Sequence, residues 1–99
     1  MRITLRYYGF VSSLTKKIHE EMTVGDSITV QGLIDCLTAR YGYKFKDLCF
    51  IKPLYSDRFY CNANLNNHDI NDKKIYPGGL NTILKEGDVV SFGVISGAA

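Results

Sequence analysis

The sequence predicts an α+β fold in which a mixed sheet packs on one main helix. Three observations carry this. Thr29 to Gly42, TVQGLIDCLTARYG, has the pattern of a helix with one buried face and both ends marked. Residues 2–8 and 89–95 alternate with the two-residue period of half-buried strands. The chain has 99 residues, which is one domain, and a helix with one apolar face needs a surface to cover.

The helix comes first because the rest is arranged around it. Val30, Leu33, Ile34, Leu37 and Tyr41 fall within a stripe of about 100°. Thr29 is the expected N-cap, since its hydroxyl can accept an orphan amide of the first turn. Gly42 is the expected stop, since it can take a positive φ without a side-chain penalty.

The first strand is RITLRYY, with Ile3, Leu5 and Tyr7 alternating with Arg2, Thr4 and Arg6. Phe10, Val11 and Leu14 then form one short helical turn or tuck a loop onto the core. Residues 18–24, IHEEMTV, read as a second strand in which Ile18, Met22 and Val24 share a parity that Glu20 breaks. The two strands form a hairpin with a long connection, and Gly25-Asp26-Ser27 is turn chemistry. After the helix, residues 43–57 read as a partly ordered crossover limited by Pro53. Strand three is expected over 58–63, with Phe59, Cys61 and Ala63 on one face. Residues 64–71 are rich in asparagine and in turns. Pro77-Gly78-Gly79 is another turn, and Ile83-Leu84 a short helical one. Lys85 to Asp88 turns into the last strand, with Val90, Phe92 and Val94 on one face, and that strand belongs beside the first. Residues 96–99 are small and form a flexible tail on a single domain spanning 1–99. A right-handed crossover through the helix suits this order and makes the fold a small roll of the ubiquitin type.

Composition excludes several functions. The formal net charge is +2, and the longest basic runs are the pairs Lys16-Lys17 and Lys73-Lys74, which is too dispersed for a nucleic-acid groove. No apolar run approaches the roughly 18 residues of a membrane span, and no signal segment opens the chain, so a cytoplasmic protein is expected. Three cysteines without a close pair read as reduced thiols.

No catalytic or metal centre emerges. His19 sits on a charged strand face and His68 in the asparagine-rich turn, neither with a ligand partner at a recognised spacing, so both read as surface residues. Cys36 lies at the edge of the helix stripe with Arg40 four residues on, which is too little to activate a thiol. Cys61 reads as a small apolar filler. The glutamates Glu20 and Glu21 point to opposite faces, and Gly78-Gly79 lacks the lysine and hydroxyl of a phosphate loop. A protein built this way acts by presenting a surface or a terminus, and no metal or cofactor is expected.

Taken in order, these segments resemble the small subunit of molybdopterin synthase and the thiazole-pathway sulphur carrier. RITLRYYG resembles that family's first strand and glycine. SITVQGLIDCLTARYG resembles its threonine-capped, leucine-rich helix ending in Tyr-Gly. CNANLNNHDI resembles its Val-Asn-Gly strand and turn, with Ala63-Asn64-Leu65 in that place. Leu84 to Phe92 resembles its Gly-Asp turn and last strand, and Ile95-Ser96-Gly97 the lead into its tail. The resemblance implies a ubiquitin-like β-grasp fold and a sulphur carrier. A partner, an adenylating E1-like enzyme, activates the terminal carboxylate with ATP, and sulphur transfer converts it to a thiocarboxylate. The large subunit of molybdopterin synthase, or an equivalent sulphur acceptor, supplies the catalytic groups, so the chain itself is not an enzyme.

Family tails end in Gly-Gly because a tail without Cβ atoms passes through a narrow channel. Here the carrier tail reads Gly97, Ala98, Ala99, which keeps one glycine and replaces the second. The alternative function is a repurposed β-grasp binding module without thiocarboxylate chemistry. Under the carrier reading, Phe92, Val94, Ile95 and Ser96 bind the partner near the root of the tail, with Phe92, Val94 and Ile95 as apolar anchors. Arg2 and Arg6 orient an acidic partner or simply solvate a strand face.

Overall fold

The computed structural model describes residues 1–52, 54 and 57–94. Strand β1 (Arg2–Tyr7) lies inside the main sheet, burying Ile3, Leu5 and Tyr7. Strand β2 (His19–Thr23) pairs with it antiparallel, after helix α1 (Gly9–Thr15) has filled the connection. On its other side β1 is paired in parallel by the last strand, β7 (Val89–Phe92), with Leu5 opposite Val90 and Tyr7 opposite Phe92. The short strands β5 (Ala63–Leu65) and β6 (His68–Asp69) complete a mixed sheet of order β2-β1-β7-β5-β6. The two strands with the most regular alternation are neighbours, as expected.

The main helix α2 (Val30–Tyr41) buries Val30, Leu33, Ile34 and Leu37, and Tyr41 packs at the margin. The Thr29 hydroxyl accepts from the Gly32 amide at 3.0 Å, as the sequence predicts. Gly42, at φ 91°, ends α2 and also starts a second helix, α3 (Tyr43–Cys49). The expected crossover over 43–57 is thus corrected at its start. Phe45, Leu48 and Cys49 make a two-turn apolar face, and Phe45 and Cys49 are fully buried. Phe45 joins Tyr7, Tyr41 and Phe92 in an aromatic cluster with centroids 5.2 to 6.3 Å apart, between helices and sheet. Edge and offset ring contacts of this kind add to the burial.

Expected strand three, 58–63, is two strands. Strand β4 (Tyr60–Cys61) pairs with β3 (Phe50–Ile51) in a small separate sheet, whereas β5 pairs with β7. Asn62 is the changeover. Its amide donates to Cys49 O at 2.6 Å, and its carbonyl accepts from the Gly93 amide at 3.1 Å. One main chain thereby serves both sheets, and Phe59, outside the switch, is 64% exposed instead of sharing the inner face.

Two smaller expectations also change. The helical turn near Ile83-Leu84 lies earlier, as a 3₁₀ turn over Gly79–Asn81, and Ile83 instead bridges to Thr29. The asparagine-rich segment is a tight hairpin whose central residues, Asn66 and Asn67, have φ of 51° and 69°, a left-handed pair asparagine tolerates. The Asn66 side chain also accepts from the Val89 amide at 2.9 Å, tying this hairpin to the last strand.

Candidate functional site

The site begins where β7 ends. Because β7 runs parallel to β1, the C-terminal ends of both strands emerge together. There Tyr8 leads into α1, and its amide donates to Phe92 O at 3.0 Å. Gly93 follows at φ 86° and stops the alternation expected to run through Val94. A Cβ on Gly93 would stand 2.5 Å from Tyr8 O and 3.0 Å from a Val11 methyl. Only glycine fits this backbone conformation and this gap together. The chain leaves the sheet clamped between Tyr8 and Asn62.

Beside this exit lies a groove of about 460 Å³, lined mainly by Tyr8, Phe10, Leu48, Ile51 and Val94. Phe10 is 81% exposed and Val94 45%, so the groove is apolar and open to solvent. Asp47 is the one carboxylate on its wall. Elements far apart in sequence build it: the start of α1, the end of α3, β3 and the residues after β7. The sequence marks only one signal for it, Gly9-Phe10-Val11, where adjacent apolar residues cannot both face inward. Val11 is buried, and Phe10 faces out.

The expected partner-binding residues divide. Phe92 is not an exposed anchor: it is 0% exposed and packs against Tyr7 and Phe45. Its inward parity on β7 is the reason. Val94 is exposed and lines the groove. Ile95, Ser96, Gly97, Ala98 and Ala99 lie outside the described residues. Arg2 is engaged in an ion pair with Glu21, whereas Arg6 is exposed and has no ion-pair partner among the described residues.

The other candidates carry no site. His19 and His68 are exposed, and among the described residues no cluster of three or more metal-ligating side chains gathers. Cys36 is exposed, while Cys49 and Cys61 are buried. Burial pushes the Cys61 thiol up to about 12 and raises Cys49 as well, which keeps both protonated and unreactive. Glu20, which breaks the strand parity, turns inward to receive four donors: Tyr7 Oη at 3.1 Å, Lys17 Nζ at 2.7 Å, Arg40 at 2.9 Å and Tyr41 Oη at 3.0 Å. It joins β1, β2 and α2 and is a structural clamp.

No family model and no curated protein matches the chain. Solved structures do. The chain is similar to the HVO 2177 protein of Haloferax volcanii, at 22% identity and a TM-score of 0.69, covering 93% of this chain and 80% of that one. It is similar to a molybdopterin converting factor, subunit 1, described as putative, from Pyrococcus furiosus, at 22% identity, a TM-score of 0.63 and coverage of 91% and 92%. It is also similar to the small archaeal modifier protein 1 of Methanosarcina acetivorans, at 19% identity, a TM-score of 0.65 and coverage of 97% and 96%. The chain has the β-grasp fold. In this β-grasp chain the sheet packs on α2, and the central strand β7 ends beside the apolar groove. No helix among the described residues is long and apolar enough to cross a membrane.

Proposed function

We propose that this β-grasp chain is a sulphur carrier whose C-terminal segment presents a thiocarboxylate to a partner enzyme. The observation that carries the reading is Gly93, where the central strand β7 ends against Tyr8 next to an apolar groove. A carrier needs a firm root and a docking surface beside it, and catalytic groups are then the partner's task. The likeness to a molybdopterin converting factor subunit and to a small modifier protein supports the same reading. The partners are an adenylating E1-like enzyme, which docks on Val94 and the groove, and a sulphur acceptor such as the large subunit of molybdopterin synthase. Residues Gly97, Ala98 and Ala99 are the segment that is activated, and Ile95 and Ser96 bind the partner. The reduced state of three free thiols agrees with a cytoplasmic setting.

The second reading, a binding module without sulphur chemistry, is favoured by Ala98, because a methyl group obstructs a channel shaped for glycine. Intact-mass measurement separates the two. The chain is incubated with the adenylating enzyme of the same cell, ATP and a sulphur donor. A carrier gains about 16 Da on its C-terminal peptide, as oxygen is exchanged for sulphur. If a version ending in Gly-Gly gains this mass and the native sequence does not, the binding-module reading replaces the carrier.

A further inference from the structure

We propose that the groove beside Gly93 selects its partner by charge as well as by shape. The segment of the adenylating enzyme that docks there lays an apolar side chain between Phe10, Leu48 and Ile51 and a lysine or arginine on Asp47. The identity of the enzyme rests on the carrier reading above, whereas what its segment must present rests on the groove's own residues.

Among the described residues, Asp47 is the one charged side chain on the groove's walls. Lys44, Lys46 and Lys52 are close to it in sequence, but none of them lines the groove. Asp47 makes no ion pair among the described residues. The chain as a whole has a formal charge of +2, so this spot is opposite in sign to the molecule around it. Apolar walls keep water from the flank of the carboxylate. A cation that docks there is attracted more strongly than in open water, and an incoming carboxylate is repelled for the same reason.

Asp47 sits in the last turn of α3, where the free carbonyls of a helix already gather negative charge. A carboxylate there works against the helix, and no ion pair among the described residues offsets it. Its place is nevertheless firm. A single methylene joins the carboxylate to the backbone of α3, Leu48 packs against the core and Cys49 is fully buried. Helix α1 packs on α3, and Val11, next to Phe10, is buried, so the core holds both walls. Phe10 stands out from its wall. A side chain that covers Phe10 also drives water away from Asp47, so the apolar and the charged contact strengthen each other.

Calorimetry of the full chain with the adenylating enzyme of the same cell tests this, with thermal unfolding and intact mass measured on the same variants. Asp47→Asn should weaken binding about tenfold and Asp47→Lys at least about a hundredfold, whereas Asp47→Glu should stay close to the native chain. Phe10→Ala should also weaken binding about tenfold. The native chain should lose affinity as salt is raised from about 0.05 M to about 0.5 M, and Asp47→Asn should lose less. The unfolding midpoint of Asp47→Asn should equal or exceed the native one, which a structural role for the carboxylate would not allow. Absence of binding by the native chain, equal affinity of Asp47→Asn and the native chain, or a lowered midpoint for Asp47→Asn would overturn the proposal. Equal affinity with an unchanged gain of about 16 Da leaves the carrier reading intact. Binding that depends on Asp47 without any gain in mass upholds the groove and overturns the carrier reading instead.

Discussion

The carbonyl oxygen of Tyr8 occupies the space next to the Gly93 α-carbon, 2.5 Å from where a Cβ would stand. This contact joins the end of the first strand to the end of the last and fixes how the backbone turns at Gly93. Gly93→Ala therefore adds a clash to an unfavourable φ of 86°. A loss of about 2–3 kcal/mol is expected by urea unfolding, together with slower activation by the partner. Gly25→Ala is the control. Nothing lies within 4 Å of a Cβ there and its φ is not positive, so stability should change by less than about 0.5 kcal/mol.

Phe92 and Val94 share a parity but should separate core from docking surface. Phe92→Ala removes a fully buried ring from the aromatic cluster and should cost about 3–5 kcal/mol of stability. Val94→Asp should leave unfolding nearly unchanged but weaken binding of the adenylating enzyme at least about tenfold, measured by calorimetry. Unchanged affinity would remove the groove from the interface.

Glu20 carries a pH signature. Burial alone would raise its carboxyl, but hydrogen bonds from Lys17, Tyr41 and Tyr7 outweigh burial and hold it below the usual range. Arg40 adds a further cation, and Glu21 faces away on the other side of β2. A carboxyl lowered by folding contributes stability above its unfolded value of 4.5, and that contribution disappears as pH falls through the lower folded value. Glu20→Gln should be destabilised by about 1–3 kcal/mol at pH 7. The gap between it and the native protein should close in acid, as seen by thermal unfolding across pH. A gap that does not change with pH would mean that the carboxylate charge is not what the clamp uses.

Thr29 is the simplest test of the helix. Its hydroxyl satisfies the Gly32 amide, so Thr29→Ala should cost about 1 kcal/mol, and Thr29→Ser should restore most of it. Denaturant midpoints read both.

The main helix, its two ends and the first and last strands are legible in the sequence, because each is long enough for its period to show. Helix α3 is not, because two turns supply only Phe45, Leu48 and Cys49, and Pro53 nearby suggests a loop. The division of 58–63 at Asn62 is hidden for a different reason. Alternation continues through Cys61 and Ala63, and nothing local reveals that successive residues pair with different sheets. Glu20 looks like an error in a strand pattern until Tyr7, Lys17, Arg40 and Tyr41 are brought around it.

Local periodicity by itself determined the α+β class, the capped helix over Thr29 to Gly42 and the buried face of the first strand, and the absence of ligand spacing marked His19 and His68 as surface groups. These depend on residues within a few positions of one another, where side-chain direction follows from backbone geometry. Only the tertiary structure decided that Phe92 belongs to the core, that Gly93 ends the strand against Tyr8, and that Phe10, Leu48, Ile51 and Val94 meet in one groove. Each of these depends on which distant segments become neighbours, and that is set by packing the whole chain around α2.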